Sequence, residues 1–205
     1  MAAAIEQLLR HPSIWRAGAD PRPETGYIAT GWDELDRALP GGGWPRGAIT
    51  EILLEQHGIG ELGLLLPALS QLTQQALWAA WVAPPLIPYA PALHARGCDL
   101  SKVVTVKLKD DAQALWAAEQ LLHTQATGAV LLWTQNADER RLRRLQLAAE
   151  TGTTLAVIFR PAQQARRSSP AALRLMLNVS SSTGQLNVEV LKCRGRLPAR
   201  LLRAG

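Results

Sequence analysis

Residues 48–66 constrain the chain more than any other stretch, because there an apolar strand runs into a glycine-bearing turn and then an amphipathic helix. The segment reads Glu51-Ile-Leu-Leu-Glu-Gln-His-Gly-Ile-Gly-Glu-Leu-Gly63, followed by three leucines. This is the outline of a phosphate-binding loop. A working loop has the pattern G-x-x-x-x-G-K-[ST]: backbone amides cradle the phosphates, the lysine meets the β/γ oxygens and the hydroxyl binds Mg2+. With Gly60 as the second glycine, Glu55 stands at the first, Glu61 at the lysine and Leu62 at the hydroxyl. A carboxylate about 4 Å from a phosphate opposes binding by about 4 kcal/mol at an effective dielectric of ~20. The sequence therefore predicts a scaffold without nucleotide chemistry: no catalytic residue, no cofactor and no metal. Gly58 and Gly60 are left to serve the backbone of the turn, and Glu61 to favour the dipole at the helix start.

Around this stretch, apolar runs alternate with helical periodicity. Helix is expected at 110–123, with Asp110 and Asp111 at its start, and at 138–150; strands are expected at 48–54, 77–82, 103–107, 129–133 and 154–159. Leu62, Leu65, Leu66, Leu69 and Leu72 fall at helical spacing after the turn, and Pro67 is expected to kink that helix or displace its first turn. Two further strands near 172–179 and 185–192 flank Ser180-Ser-Ser-Thr-Gly184, a hairpin turn. The pattern predicts an α/β fold: a mainly parallel central sheet flanked by helices, with a C-terminal antiparallel hairpin at one edge. The expected organisation is a helix and linker over 1–25, a core over 26–196 and a basic tail over 197–205. The first helix carries Ile5, Leu8 and Leu9 on one side; too short to stand alone, it is a candidate docking helix.

The 205 residues are 47% hydrophobic, which suits one globular core. The net charge of +5 permits an acidic partner or nucleic acid. Two cysteines, Cys98 and Cys193, without metal-ligand spacing exclude a disulfide framework and fit a reducing cytoplasm. No leader core or membrane-length apolar run is visible, so the expected location is the bacterial cytoplasm.

Several words make the chain resemble a known family. Thr30-Gly31, Leu35-Asp36, the 41–43 glycine run, Pro45-Arg-Gly47 and Ile49-Thr-Glu51 resemble the approach to the nucleotide loop in the RecA recombinase core, across roughly residues 28–196. Gly58-Ile-Gly-Glu-Leu-Gly63, Trp81-Val-Ala-Pro-Pro-Leu-Ile-Pro-Tyr-Ala-Pro-Ala-Leu93 and the 154–161 strand narrow this to the ImuA/SulA family, and within it to the ImuA branch. The resemblance implies a RecA-like core acting as an adaptor in SOS-induced, error-prone translesion synthesis. Implied partners are ImuB (an inactive Y-family polymerase homologue), RecA and an error-prone C-family DNA polymerase, with self-association through the first helix. Against the RecA pattern, Pro85 stands at the catalytic glutamate, Trp133 at the Walker B aspartate and Arg160 at the nucleotide-sensing glutamine. ATPase activity is accordingly not expected. The alternative is a SulA-type division inhibitor that binds FtsZ, although such proteins lack the 30–45 word and the basic strand and tail after 185. A third reading, an ATP-dependent recombinase or clock-type ATPase, needs the nucleotide site that these residues deny.

Arg166, Arg167 and Arg174 surround Ser168-Ser-Pro170 in a segment that resembles the DNA-facing loop of RecA. Lys192, Arg194, Arg196, Arg200 and Arg203 extend the basic character to the C-terminal end. These eight residues are candidate DNA or partner contacts, set against the plainer reading of a solvated surface. Arg140, Arg141, Arg143 and Arg144 are expected to form a solvated helix face with local ion pairs. Trp32, Trp44 and Trp78 are expected either in the core or above the degenerate loop, the core being favoured.

Overall fold

A computed structural model of the chain describes residues 26–180, 184–194 and 202–204, the last three by their backbone alone. The docking helix expected at Ile5, Leu8 and Leu9, the linker, Arg196 and Arg200 lie outside the described residues.

The apolar segments form strands because β-branched and aliphatic side chains fill both faces of a covered sheet. They are β3 (Ala48–Leu54), β4 (Trp78–Val82), β5 (Val103–Val106), β6 (Thr127–Trp133), β7 (Leu155–Pro161), β8 (Leu173–Val179) and β9 (Leu186–Cys193). With β10 (Leu202–Ala204) they make one eight-stranded sheet in the order β10-β9-β8-β3-β7-β6-β4-β5. Every pairing from β8 to β5 is parallel, while β9 and β10 run antiparallel at one edge. The parallel sheet, its flanking helices and the β8–β9 hairpin thus match the sequence pattern. A two-stranded ribbon, β1 (Tyr27–Ile28) with β2 (Trp44–Pro45), stands before β3 and encloses helix α1 (Asp33–Ala38).

Side chains alternate across the strands, so each strand feeds two cores. Ile52, Leu54, Trp81 and Phe159 pack with Leu65, with Leu69 and Leu72 of α2 (Leu66–Gln74) and with Leu93 of α3 (Ala90–Ala95). On the other face, Ile49, Val130, Leu132 and Ile158 pack with Leu115 of α4 (Asp111–Leu122) and Leu142 and Leu145 of α5 (Glu139–Gly152). Helix α4 is capped by Asp110, whose carboxylate accepts from the Ala112 and Gln113 amides; helix α5 is capped by Asp138, which accepts from Arg141 N–H.

The first helical turn is displaced at Pro67, as expected: residues 61–64 form a 3-10 turn and the α-helix starts at Leu66, with Pro67 in its first turn, where a missing N–H costs nothing. Two expectations change. Part of the expected basic tail is a strand, since β10 pairs with β9 and extends the sheet. Trp78 begins β4 at the end opposite the degenerate loop; it is partly exposed beneath Lys102, whose Nζ lies 5.3 Å from the ring centroid. Trp44 is buried in the core and Trp32 packs against it.

Candidate functional site

The carboxyl ends of the parallel strands, where open α/β sheets hold ligands, are closed in this protein from three sides. The turn after β3 contains Gly58 and Gly60 at φ +83° and +98°, left-handed values that favour glycine. At the position of the absent lysine, Glu61 is buried and folds back, its Oε1 accepting from the Gly58 amide at 3.0 Å. A carboxylate of the chain itself thus occupies a loop amide that a phosphate would use. This is a more specific role than the dipole contact expected of Glu61, and only the folded turn reveals it. Leu62 packs against the core as an apolar residue, and Glu55 is exposed.

Beside the turn, aromatic side chains fill the space at the ends of β4, β6 and β7. The Trp133 ring stacks on Phe159 with centroids 4.6 Å apart and meets Trp81 at 6.1 Å. All three belong to the core that contains Leu54 and Leu64. An indole at the end of β6 has no oxygen for a divalent cation, which is bound through carboxylate and carbonyl oxygens. Among the described residues no group of three His, Cys, Asp or Glu side chains could hold a metal ion.

The third side is the loop leaving β4. Ala83 sits at φ +52°, a turn that costs a non-glycine residue about 1–2 kcal/mol, and sends the chain outward through Pro84 and Pro85. Leu86, Ile87 and Tyr89 then stand 64%, 74% and 71% exposed. A side chain built on Gly58 would come within 3.7 Å of Leu86, so the β4 loop lies against the degenerate turn. This edge therefore presents exposed apolar side chains beside the turn.

Behind this edge lies a charge cluster that sequence reading missed. Glu51, in the middle of β3, is 0% exposed; Arg160 at the end of β7 is 2% exposed and Arg174 near the start of β8 is 7% exposed. Arg160 Nη1 donates to Glu51 Oε1 at 2.7 Å and Arg174 Nε to Glu51 Oε2 at 2.6 Å. Arg160 Nη2 also donates to Ala137 O, and Arg174 donates to the carbonyls of Gln164, Ala165 and Arg167. The sequence signal was available: one carboxylate inside an apolar strand, and one arginine closing another.

Arg174, expected as a DNA or partner contact, is therefore corrected to a buried ion-pair residue, because β8 places it directly opposite Glu51. Lys192 is half-buried, its Nζ donating to Ser169 O at 2.8 Å. Burial, then Arg174 and Arg194, hold its pKa below the usual lysine value. Arg166, Arg167 and Arg194 are exposed, and Arg203 lies in β10.

These features define a class: an α/β protein whose strand-to-helix turn is satisfied from within and whose ligand edge is covered by apolar side chains. Residues 47–156 match the family described as Cell division inhibitor SulA, and the chain belongs to that family. The cell division inhibitor SulA of Serratia proteamaculans is 31% identical over 119 residues, which cover 58% of this chain and 71% of that protein. Protein ImuA of Caulobacter vibrioides is 30% identical over 137 residues, covering 64% of this chain; the chain spans 56% of its length. A crystal structure of SulA from Pseudomonas aeruginosa aligns with a TM-score of 0.45 at 25% identity, covering 55% of this chain and 97% of that one.

Proposed function

We propose that the protein is a non-catalytic adaptor of the bacterial DNA-damage response, with a degenerate RecA-like core, and that it serves error-prone translesion synthesis in the manner of ImuA. The observation that carries this reading is the Glu61 carboxylate on the Gly58 amide, which leaves the turn satisfied without a nucleotide. Work is then done by surfaces, and the exposed Leu86, Ile87 and Tyr89 supply one beside that turn. ImuB, RecA and a C-family polymerase are the partners that this reading implies.

A SulA-type inhibitor of cell division acting on FtsZ is the second reading, favoured by the family match over residues 47–156. The first is preferred because the elements outside that span are built into the same sheet. Strands β8 and β9 continue it beyond β3, and the Glu51–Arg174 pair fastens them to the core.

Co-purification decides between the two. The full-length chain should retain ImuB and RecA, and substitution of Leu86, Ile87 and Tyr89 by serine should weaken that retention. Retention of FtsZ in the absence of ImuB would reverse the order. Millimolar ATP should leave the melting temperature unchanged; stabilisation by ATP that vanishes in Gly60→Asp would refute the claim of an inactive turn.

A further inference from the structure

Lys192 stands apart from the other three lysines of the chain, Lys102, Lys107 and Lys109. Lys107 and Lys109 are exposed, and Lys102 lies over the Trp78 ring. Lys192 is half-buried in β9, directly opposite Arg174 of β8, with Arg194 just past the end of its own strand. Its Nζ is held in place by donating to Ser169 O at 2.8 Å.

The surroundings of this amine are short of negative charge. Among the described residues Glu51 is the one carboxylate that acts on it, and Arg160 and Arg174 already share the two oxygens of Glu51. Glu139 is taken by Arg143 and the Ser168 hydroxyl, while Glu189 lies opposite Met176, further along the hairpin. Arg194 is exposed and makes no ion pair among the described residues. An ammonium ion half out of water beside two guanidiniums is disfavoured by desolvation and by repulsion. Burial contributes most, then Arg174 and Arg194, with Glu51 opposing them. Lys192 is therefore the neutral amine, the nucleophilic form, for more of the time than an exposed lysine is.

We propose that Lys192 is an acylation site that takes its acyl group from small acyl phosphates, with the Arg194 guanidinium holding the phosphate. Nζ attacks the acyl carbon, and an amide C–N bond forms as the C–O bond to phosphate breaks. Phosphate leaves with the electron pair, and the displaced Nζ proton departs on it. The unpaired guanidinium selects an anionic donor, because arginine meets phosphate oxygens through two parallel N–H groups. After the transfer the cluster carries one positive charge fewer, which relieves its repulsion. The acylated Nζ keeps one N–H for Ser169 O. The modification goes beyond the adaptor reading and holds whichever partner the protein serves.

The test treats the full-length chain with acetyl phosphate at pH 8 and follows acetylation at the four lysines by mass spectrometry of chymotryptic peptides. Acetic anhydride serves as the uncharged donor for comparison. With acetyl phosphate, Lys192 should react about threefold or more faster than Lys107 and Lys109, and unfolding in urea should erase that preference. Arg194→Ala should slow acetyl phosphate at Lys192 about threefold more than it slows acetic anhydride there, with Lys107 unchanged as the internal control. Arg194 is at the surface, and an unchanged melting temperature confirms that the variant is folded. The proposal is overturned if Lys192 reacts no faster than Lys107 and Lys109, if its preference survives unfolding, or if Arg194→Ala slows both donors equally.

Discussion

Glu51→Gln isolates the buried charge cluster with the smallest change of shape. Glu51 is fully buried and accepts from Arg160 at 2.7 Å and Arg174 at 2.6 Å. Each pair, with charge centres about 4 Å apart, contributes about 4 kcal/mol at an effective dielectric of ~20. Desolvation of three charges offsets much of that gain in the native protein. In the variant the guanidiniums stay buried while the compensating charge is gone, a situation that costs roughly 3–5 kcal/mol. For a chain of this size that lowers the melting temperature by roughly 6–20 °C, at about 2–4 °C per kcal/mol. Urea unfolding gives the free energy directly. The comparison that makes the reasoning refutable is the triple variant Glu51→Leu, Arg160→Met, Arg174→Met, which removes every charge at once. It should be clearly more stable than Glu51→Gln, since it leaves no unpaired charge buried. Amide exchange at Gln164 to Arg167 should quicken in it, because Arg174 holds the carbonyls of that turn. A single variant within about 1 kcal/mol of wild type, or a triple variant as unstable as the single one, would refute this account.

Three further outcomes follow from the geometry. Glu61→Ala removes the acceptor of the Gly58 amide and should cost about 1–2 kcal/mol in urea unfolding, with faster exchange at Gly58; an unchanged exchange rate would count against the closed turn. In Gly152→Ala a Cβ would stand 1.9 Å from the Leu122 carbonyl oxygen, so the ends of α4 and α5 must part, at a cost of about 1–3 kcal/mol; wild-type stability would show that this approach is not tight. Burial raises the Cys98 thiol pKa, so at pH 8 it should react with a thiol reagent more slowly than the half-buried Cys193, and equal rates would contradict the packing around Cys98.

Much of the fold was legible because its signals are local. Helix periodicity, the caps Asp110 and Asp138 and the Ser180–Gly184 turn each act within a few residues, so strand and helix order could be read directly. The turn after β3 was legible for the same reason: Gly58, Gly60 and Glu61 are neighbours. The late helix start at Leu66 was legible too, because the missing N–H of Pro67 acts within one turn. β10 was missed because three residues carry too little pattern, and its strand exists only by pairing with β9.

The sites separate along the same line. Which residues stand at 55–62 is a matter of identity, so the expectation that they do not bind a nucleotide could be framed from the sequence alone. Sequence reading misassigned Arg174 and overlooked Glu51, because charge in a sequence reads as surface until a partner is known. Arg160 is 109 residues from Glu51 and Arg174 is 123 residues from it. Only the parallel register of β7, β3 and β8 brings them within hydrogen-bond reach. Local chemistry fixed what the turn after β3 lacks. Which charges pair depended on contacts between segments far apart in the chain, and those exist only in the folded sheet.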